Sequence, residues 1–243
     1  QEASPGAERF RSNSTVNRYM ASLSVVFTEA INEWGWLEEN PALKVKKKKE
    51  PRGRVRFLSD EERAVLLDAC KNASNPNLYI VVALALTTGA RFSEIINLKW
   101  EHVDLKRRVL YFLDTKNKDR RSVPISQHAY DLLEQHKKVR RIDTKYVFPG
   151  KEGNKPLELK RQWENVVRDA KLKDFRFHDL RHTAASYLAM NGASLLDISH
   201  ILGHRTLQMV QRYSHLTENH VAGVLERMNE AQFGNLEVKS SGS

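Results

Sequence analysis

Apolar residues recur at spacings of three and four over most of the chain, the period of helices with one buried face. In "SNSTVNRYMASLSVVFTEAINEWGWL", Val16, Tyr19, Leu23, Val26, Phe27, Ala30 and Ile31 keep that spacing, with Ser14 or Thr15 as cap. Pro41 disfavours helix at Asn40, so the segment closes at "ENPAL". "LSDEERAVLLDAC" opens with Ser59 and Glu62, a capping box followed by an apolar face. "YIVVALAL" (79–86) is apolar all round, which predicts a buried helix over 78–88 that stops at Gly89. "ARFSEIINL" begins another helix, and two more follow near 126–140 and 157–171.

"RVLYFLDTKNKDRRSVPI" (108–125) breaks the helical rhythm. Two β-rich runs flank a polar turn, the signature of a hairpin. Further on, Leu180, Ala184, Tyr187 and Leu188 share a helix face that Gly192 can stop. Ser194 and Asp197 resemble a capping box for the helix carrying Leu195, Ile198, Ile201 and Leu202. Gly203 ends that helix, and Thr206 can cap a short third one. This places His204 in a tight turn and Tyr213 about two turns into the next helix. The fold expected is mainly α, of the α+β class: a helical domain with a small antiparallel three-stranded sheet, preceded by a partial helical domain. The expected boundaries are 1–43 for a disordered start and the partial helical domain, 44–56 for a linker, 57–230 for the main domain and 231–243 for a tail. No internal repeat is present.

Charge changes the picture at the linker. "KVKKKKEPRGRVR" holds five lysines and three arginines against Glu50, and Pro51 and Gly53 argue against regular structure. Such a run is often only solvated chain. Here Lys46, Lys47, Lys48, Lys49, Arg52 and Arg54 can also lie along phosphates. Over all 243 residues, forty Lys+Arg against thirty Asp+Glu leave +10, which favours a polyanionic partner, nucleic acid first and an anionic membrane second. No apolar run approaches the ~20 residues of a membrane span, and no signal peptide is visible. The single cysteine, Cys70, excludes an internal disulfide and sits in an apolar helical pattern as a buried thiol. Because the chain begins at Gln1, it is expected to be a fragment of something longer.

The candidate chemistry lies mostly in "FHDLRHTAASYLAMNGASLLDISHILGHRTLQMVQRYSH" (177–215). His178 and Arg181 would share one helix face and can grip a phosphate together, although such a pair on its own is an ordinary surface feature. His178/His182 and His200/His204 are each four apart, a spacing that suits zinc. Gly203 interrupts the second pair, and no HExxH or cysteine ligand set accompanies them, so no metal is expected. Neither a GxSxG elbow nor a glycine-rich phosphate loop is present, which removes serine hydrolases and P-loop enzymes.

Taken together, "TTGARFSEIINLKW", "DTKNKDRRSVPI", "HDLRHTAASYLAMNG" and "LGHRTLQMVQRYSHL" resemble, in order, four motifs of the tyrosine recombinase (phage integrase) family. The resemblance spans about 57 to 230. It implies a catalytic set of Arg91, Lys116, His178, Arg181, His204 and Tyr213, with Glu94 in support. It also implies that 14–38 is similar to the second half of the family's helical core-binding domain. In that reading Arg91 and Arg181 grip the scissile phosphate, Tyr213 forms a 3′-phosphotyrosine, and Lys116 protonates the departing 5′ oxygen. His178 is a general base or relay, and His204 donates to a phosphate oxygen. Arg212 and His215 fall outside the set and read as DNA-facing or solvent-facing. The implied partner is double-stranded DNA, engaged by a homo-tetramer that is a monomer without it. The implied setting is the cytoplasm, at the nucleoid, with no cofactor and no membrane. Val221, Val224, Leu225 and Met228 form a stripe suited to docking on this chain or a neighbour. Relaxation of supercoils by the same tyrosine chemistry, or DNA binding without strand exchange, are the alternatives.

Overall fold

The computed structural model describes residues 11–51, 54–113, 120–204 and 206–233. The chain divides into two compact units, one running to Arg54 and the other from Val55.

The first unit is one helix, α1 (Asn13–Asn32), and the chain that folds back on it. Its cap is Ser12, whose Oγ accepts the Thr15 N–H, rather than the expected Ser14 or Thr15. The helix also ends earlier than its apolar pattern predicts. Gly35, at φ +61°, turns the chain between Trp34 and Trp36, and Trp36 N–H returns to Ala30 O. A 3-10 turn over Pro41–Lys44 follows, and buried Asn40 ties it to α1 by donating to Ser24 O and Thr28 Oγ1. The lysine run is not a free linker over 48–50. Asn17 donates to Lys48 O and accepts Lys48 N–H, Asn13 donates to Lys49 O, and Ser14 donates to Glu50. A side-chain amide can read a backbone N–H and C=O in this way, and the lysine side chains are left exposed. Of the apolar stripe of α1, Ala30 is buried, whereas Tyr19, Leu23 and Val26 are exposed.

The second unit opens with α2 (Asp60–Lys71), started by the Ser59/Glu62 capping box. Next come α3 (Asn77–Thr88) and the short α4 (Phe92–Ile96). The sheet is β1 (Val103–Asp104), β2 (Val109–Leu113) and β3 (Arg120–Pro124), antiparallel throughout, with Phe112 paired to Arg121. Then come α5 (Gln127–Lys138), α6 (Lys160–Asp169), α7 (Asp179–Met190) and α8 (Leu195–Leu202). Two 3-10 turns, Leu207–Met209 and Gln211–Thr217, lead to α9 (Glu218–Phe233). Here the structure corrects the expected third helix. Thr206 gives no side-chain cap, and Tyr213 lies in a 3-10 turn instead of two turns into an α-helix.

At the centre of the main core is α3, apolar on every side as its sequence requires: Leu78, Val81, Val82, Leu84 and Ala85 are inaccessible. α7 packs on it through small residues, among them Ala184 and Ala185. Thr183 Oγ1 accepts the Leu58 N–H and so pins α7 to the start of the unit. Cys70 is buried, and desolvation pushes its thiol up to about 12, an inert group. A second, smaller cluster of Ala185, Ala189, Ile198, Leu202, Val210 and Tyr213 lies between α7, α8 and the 3-10 turns. On α9, Val224, Leu225 and Met228 are exposed. Among the described residues, no helix is long and apolar enough to cross a membrane.

Candidate active site

The end of α3 and the start of α4 set the first arginine. Arg91 stands in extended conformation just before α4, and Glu94 in its first turn closes back on it. Glu94 Oε2 accepts the Arg91 N–H at 2.6 Å, and Oε1 accepts from Arg91 Nη1 at 3.0 Å. The same carboxylate also holds Arg121 of β3, whose Nη2 donates to Oε2 at 2.8 Å. Arg121 lies over the ring of Phe112, its partner across the sheet. Its Nε and Nη1 are buried and have no acceptor among the described residues. Burial lowers its pKa, and the charge of Arg91 adds to the effect.

Arg181, on the first turn of α7, is 3% exposed. Its Nη1 donates to Gly89 O at 2.8 Å, while Nη2 is buried and has no acceptor among the described residues. Burial, then Arg91 and Arg121, lowers its pKa to about 10, so it stays charged at neutral pH. The glycine is needed for two reasons. It caps α3 at φ +61°, and a Cβ there would lie 2.1 Å from Leu202 Cδ2 of α8. Gly89 therefore lets α8 approach while its carbonyl holds Arg181.

Gly203 plays the same part at the end of α8. Its φ is +67°, and a Cβ would meet Arg121 Cδ at 2.5 Å. The turn it makes is closed by His204 N–H to Ser199 O, and it places His204 with a buried Nδ1 that has no partner among the described residues. Burial, followed by Arg181 and Arg91, pushes His204 down to about 4. His178, immediately before α7, is exposed, yet desolvation and then Arg181 lower its pKa too. Burial first, and then the fixed cations beside them, disfavour the charged form of both rings.

Tyr213 is 1% exposed and packs in the small cluster. Its hydroxyl meets His182 Nδ1 at 2.5 Å. Desolvation raises the phenol pKa, opposed by Arg212 and then Arg181. Arg212 and His215, on either side, are exposed.

The structure thus brings Arg91, Glu94, His178, Arg181, His204 and Tyr213 to one place. Lys116 lies outside the described residues, as does Arg52. Lys46, Lys47, Lys48, Lys49 and Arg54 are exposed in the first unit. Two participants escaped sequence reasoning. Arg121 had a signal: the pleat turns it to the same face as buried Leu110, Phe112 and Val123, where a charge needs a reason. His182 was visible as one half of a possible zinc pair, and its ring does stand edge-on to His178, with centroids 5.2 Å apart. Its contact with Tyr213 depends on tertiary packing that spacing does not reveal. Among the described residues, no group of three or more histidine, cysteine or acidic side chains could hold a metal ion.

What this arrangement offers is charge. Glu94 is shared by two guanidiniums, and Arg121 Nε and Nη1 and Arg181 Nη2 are buried with no acceptor among the described residues. An anion with several oxygens, such as a phosphodiester, satisfies such a set. A groove of about 750 Å³ adjoins Arg91 and Glu94, lined in part by Lys99, His102 and Tyr111.

Comparisons with known proteins identify the family. The sequence pattern of the phage integrase family matches residues 56–220. The integrase of Haemophilus phage HP1 is 35% identical over 216 residues, covering 88% of this chain and 59% of that protein. A shufflon-specific DNA recombinase of Escherichia coli is also 35% identical, covering 88% of this chain and 54% of that protein. A tyrosine recombinase XerC of Thermodesulfovibrio yellowstonii is 30% identical over 89% of this chain and 76% of its own length. Among solved structures, the catalytic domain of bacteriophage HP1 integrase aligns over 76% of this chain and 98% of its own, at 32% identity and a TM-score of 0.57. The Tn1549 transposon integrase in complex with a circular intermediate DNA gives a TM-score of 0.74 over 90% of this chain and 81% of its own. At 20% identity that likeness shows the fold alone. The chain spans between half and two thirds of the length of the first two relatives.

Proposed function

Because this chain belongs to the phage integrase family, we propose that it carries the catalytic part of a site-specific DNA recombinase that cuts and rejoins strands through a 3′-phosphotyrosine, without a metal ion. The observation that carries this reading is the pair of buried groups with no hydrogen-bond partner among the described residues, Arg181 Nη2 and His204 Nδ1, in the site that also holds the Tyr213 hydroxyl.

A phosphodiester repels nucleophiles and has a poor leaving group. Fixed guanidiniums answer the first problem. Arg91 and Arg181, each anchored through Nη1, turn their remaining N–H groups to the non-bridging oxygens, and His204 donates to one of them. Because cations already surround the phosphate, no metal is needed to neutralise it. Tyr213 attacks, leaving a phosphotyrosine and a free 5′ hydroxyl. The new bond keeps the energy of the old one, so religation needs no ATP. Lys116 answers the second problem by protonating the 5′ oxygen, and a hairpin turn suits a group that must reach into DNA. His178 assists as a relay.

Tyr213 is 1% exposed, so binding of the duplex loosens the 207–217 segment just enough to admit the phosphate to the Tyr213 hydroxyl, which stays beside His182. Lys46, Lys47, Lys48, Lys49, Arg52 and Arg54 contact the DNA backbone, giving affinity without sequence choice. Strand exchange joins two duplexes, which calls for four protomers, and the exposed Val224, Leu225 and Met228 of α9 suit contacts between them.

The test is covalent capture. Full-length protein is mixed with a pool of nicked duplexes of randomised sequence in EDTA, and DNA that stays bound after denaturation is sequenced. We expect an adduct that needs Tyr213 and shares a common sequence. Adducts that appear only when a divalent ion is restored, or that Tyr213→Phe still forms, would contradict this reading.

A further inference from the structure

Tyr213 is not a lone phenol. Its hydroxyl lies 2.5 Å from Nδ1 of His182, one residue beyond Arg181 on α7. The tyrosine is 1% exposed, and Nδ1 is the hydrogen-bond partner of its hydroxyl among the described residues. A phenolic hydrogen buried in this way needs an acceptor, and Nδ1 can serve when His182 carries its own hydrogen on Nε2, the tautomer that a proton transfer from Tyr213 requires. The charges around the ring favour that neutral form. Burial, then His178, then Arg212, push His182 down to about 4, while Asp179 pulls the other way. The titratable groups facing it are His178 just before α7, Asp179 and Arg181 of α7, His204 after α8, and Arg212 and Tyr213 of the 3-10 turn.

Resting on the recombinase reading above, we propose that His182 is the proton acceptor for Tyr213. As Tyr213 Oη forms its bond to phosphorus, its proton passes to His182 Nδ1. The P–O5′ bond breaks, and the 5′ oxygen takes its proton from a separate acid, Lys116. On religation the 5′ hydroxyl returns that proton and attacks phosphorus. The tyrosine oxygen leaves and recovers its own proton from the His182 imidazolium, so both groups end as they began. His178 is less well placed for this step. Its ring stands edge-on to His182, it is exposed, and the hydroxyl's hydrogen-bond partner among the described residues is His182 instead.

The geometry makes His182 a residue whose loss changes how cleavage depends on pH. The experiment is single-turnover cleavage of the captured nicked duplexes by full-length protein, between roughly pH 6 and 9, with DNA affinity measured alongside. The wild type already holds a neutral base, so its rate is nearly flat across that range. His182→Ala loses on the order of a hundredfold at neutral pH, the usual worth of a positioned base. Its log rate then climbs one unit per pH unit, because only pre-formed phenolate attacks. His182→Asn keeps an acceptor oxygen where Nδ1 stood, so the phenol stays held and DNA affinity is retained. An amide cannot take the proton, and the loss and the slope match those of His182→Ala. Cleavage by His182→Asn at the wild-type rate, or a flat pH profile in both variants, overturns the proposal. If the wild type forms no Tyr213-dependent adduct at all, the recombinase reading fails and takes this step with it. An adduct that forms at wild-type speed without His182 leaves that reading standing and defeats this one alone.

Discussion

The two halves of the site are held by very different means. Arg91, Glu94 and Arg181 stand at the ends of helices rooted in the main core, where Leu78, Val81, Val82 and Leu84 of α3 are inaccessible. Their geometry is doubly fixed: Glu94 clamps Arg91 and Arg121, and Gly89 O holds Arg181. Tyr213 instead rides on a short 3-10 turn, packed in a cluster of six buried residues with Val210 and Leu202. Short 3-10 segments have poorer hydrogen-bond geometry than α-helices. The difference makes chemical sense. Cations that stabilise charge work best when they need no rearrangement at the moment of reaction. A nucleophile that must let a duplex in, attack it and later leave must sit on something that yields.

The largest effect is expected on the rigid half. Arg181→Lys keeps the charge but loses the fork that holds Gly89 O with one nitrogen and leaves another for the phosphate. We expect cleavage to slow about 10²–10³-fold with DNA affinity little changed, read by the rate of adduct formation against a binding isotherm. An equal loss of affinity and rate would mean that Arg181 serves binding alone.

The comparison is sharpened by a pair of cavities, one in each cluster. Leu84→Ala removes a buried leucine from the main core and should cost about 3 kcal/mol of global stability, seen as a lower denaturation midpoint. Val210→Ala removes less and should cost about 2 kcal/mol. Its further mark is local, with faster hydrogen exchange in 207–217 while the amides of α3 keep their protection. Faster exchange in α3 as well would show that the two clusters open together.

The smallest effect is a response to acid. His182 and His204 fall from about 6.5 when unfolded to about 4 in the folded chain. The unfolded chain therefore binds more protons between those values, so stability present above pH 6.5 is lost as pH falls toward 4. Allowing for their partial exposure, the melting temperature should drop on the order of 5 °C over that interval. Thermal unfolding of His182→Asn, which lacks one of the two groups, should show a shallower drop. A wild-type melting temperature flat from pH 6.5 to 4 would show that neither ring is held neutral.

Much of the rigid half could be read from the sequence, for physical reasons. The uniform apolarity of 79–86, the Ser59/Glu62 and Ser194/Asp197 capping boxes and the glycines at 89 and 203 are local signals, and the structure keeps all of them. The tyrosine-bearing half was misjudged. Leu207 and Val210 carry the spacing of a helix, but Tyr213 forms 3-10 turns because the small cluster rewards burying its ring over continuing an α-helix. The close of α1 was misplaced for a related reason. Gly35 turns the chain, although the apolar pattern runs on through Trp34 and Trp36. Arg121 and His182 join the site through a cross-strand pairing and an inter-helix contact. Such long-range geometry leaves little trace in residue spacing.

The measurement that bears most directly on this division of labour is the chemical identity of the captured adduct. The covalent complex formed in EDTA is digested with protease and nuclease and the attached peptide is sequenced by mass spectrometry. The account predicts one peptide, containing Tyr213, that carries a 3′-phosphoryl nucleotide, with a free hydroxyl on the 5′ side of the break. A phosphoryl group on any other residue, or a 5′-linked nucleotide, would contradict it.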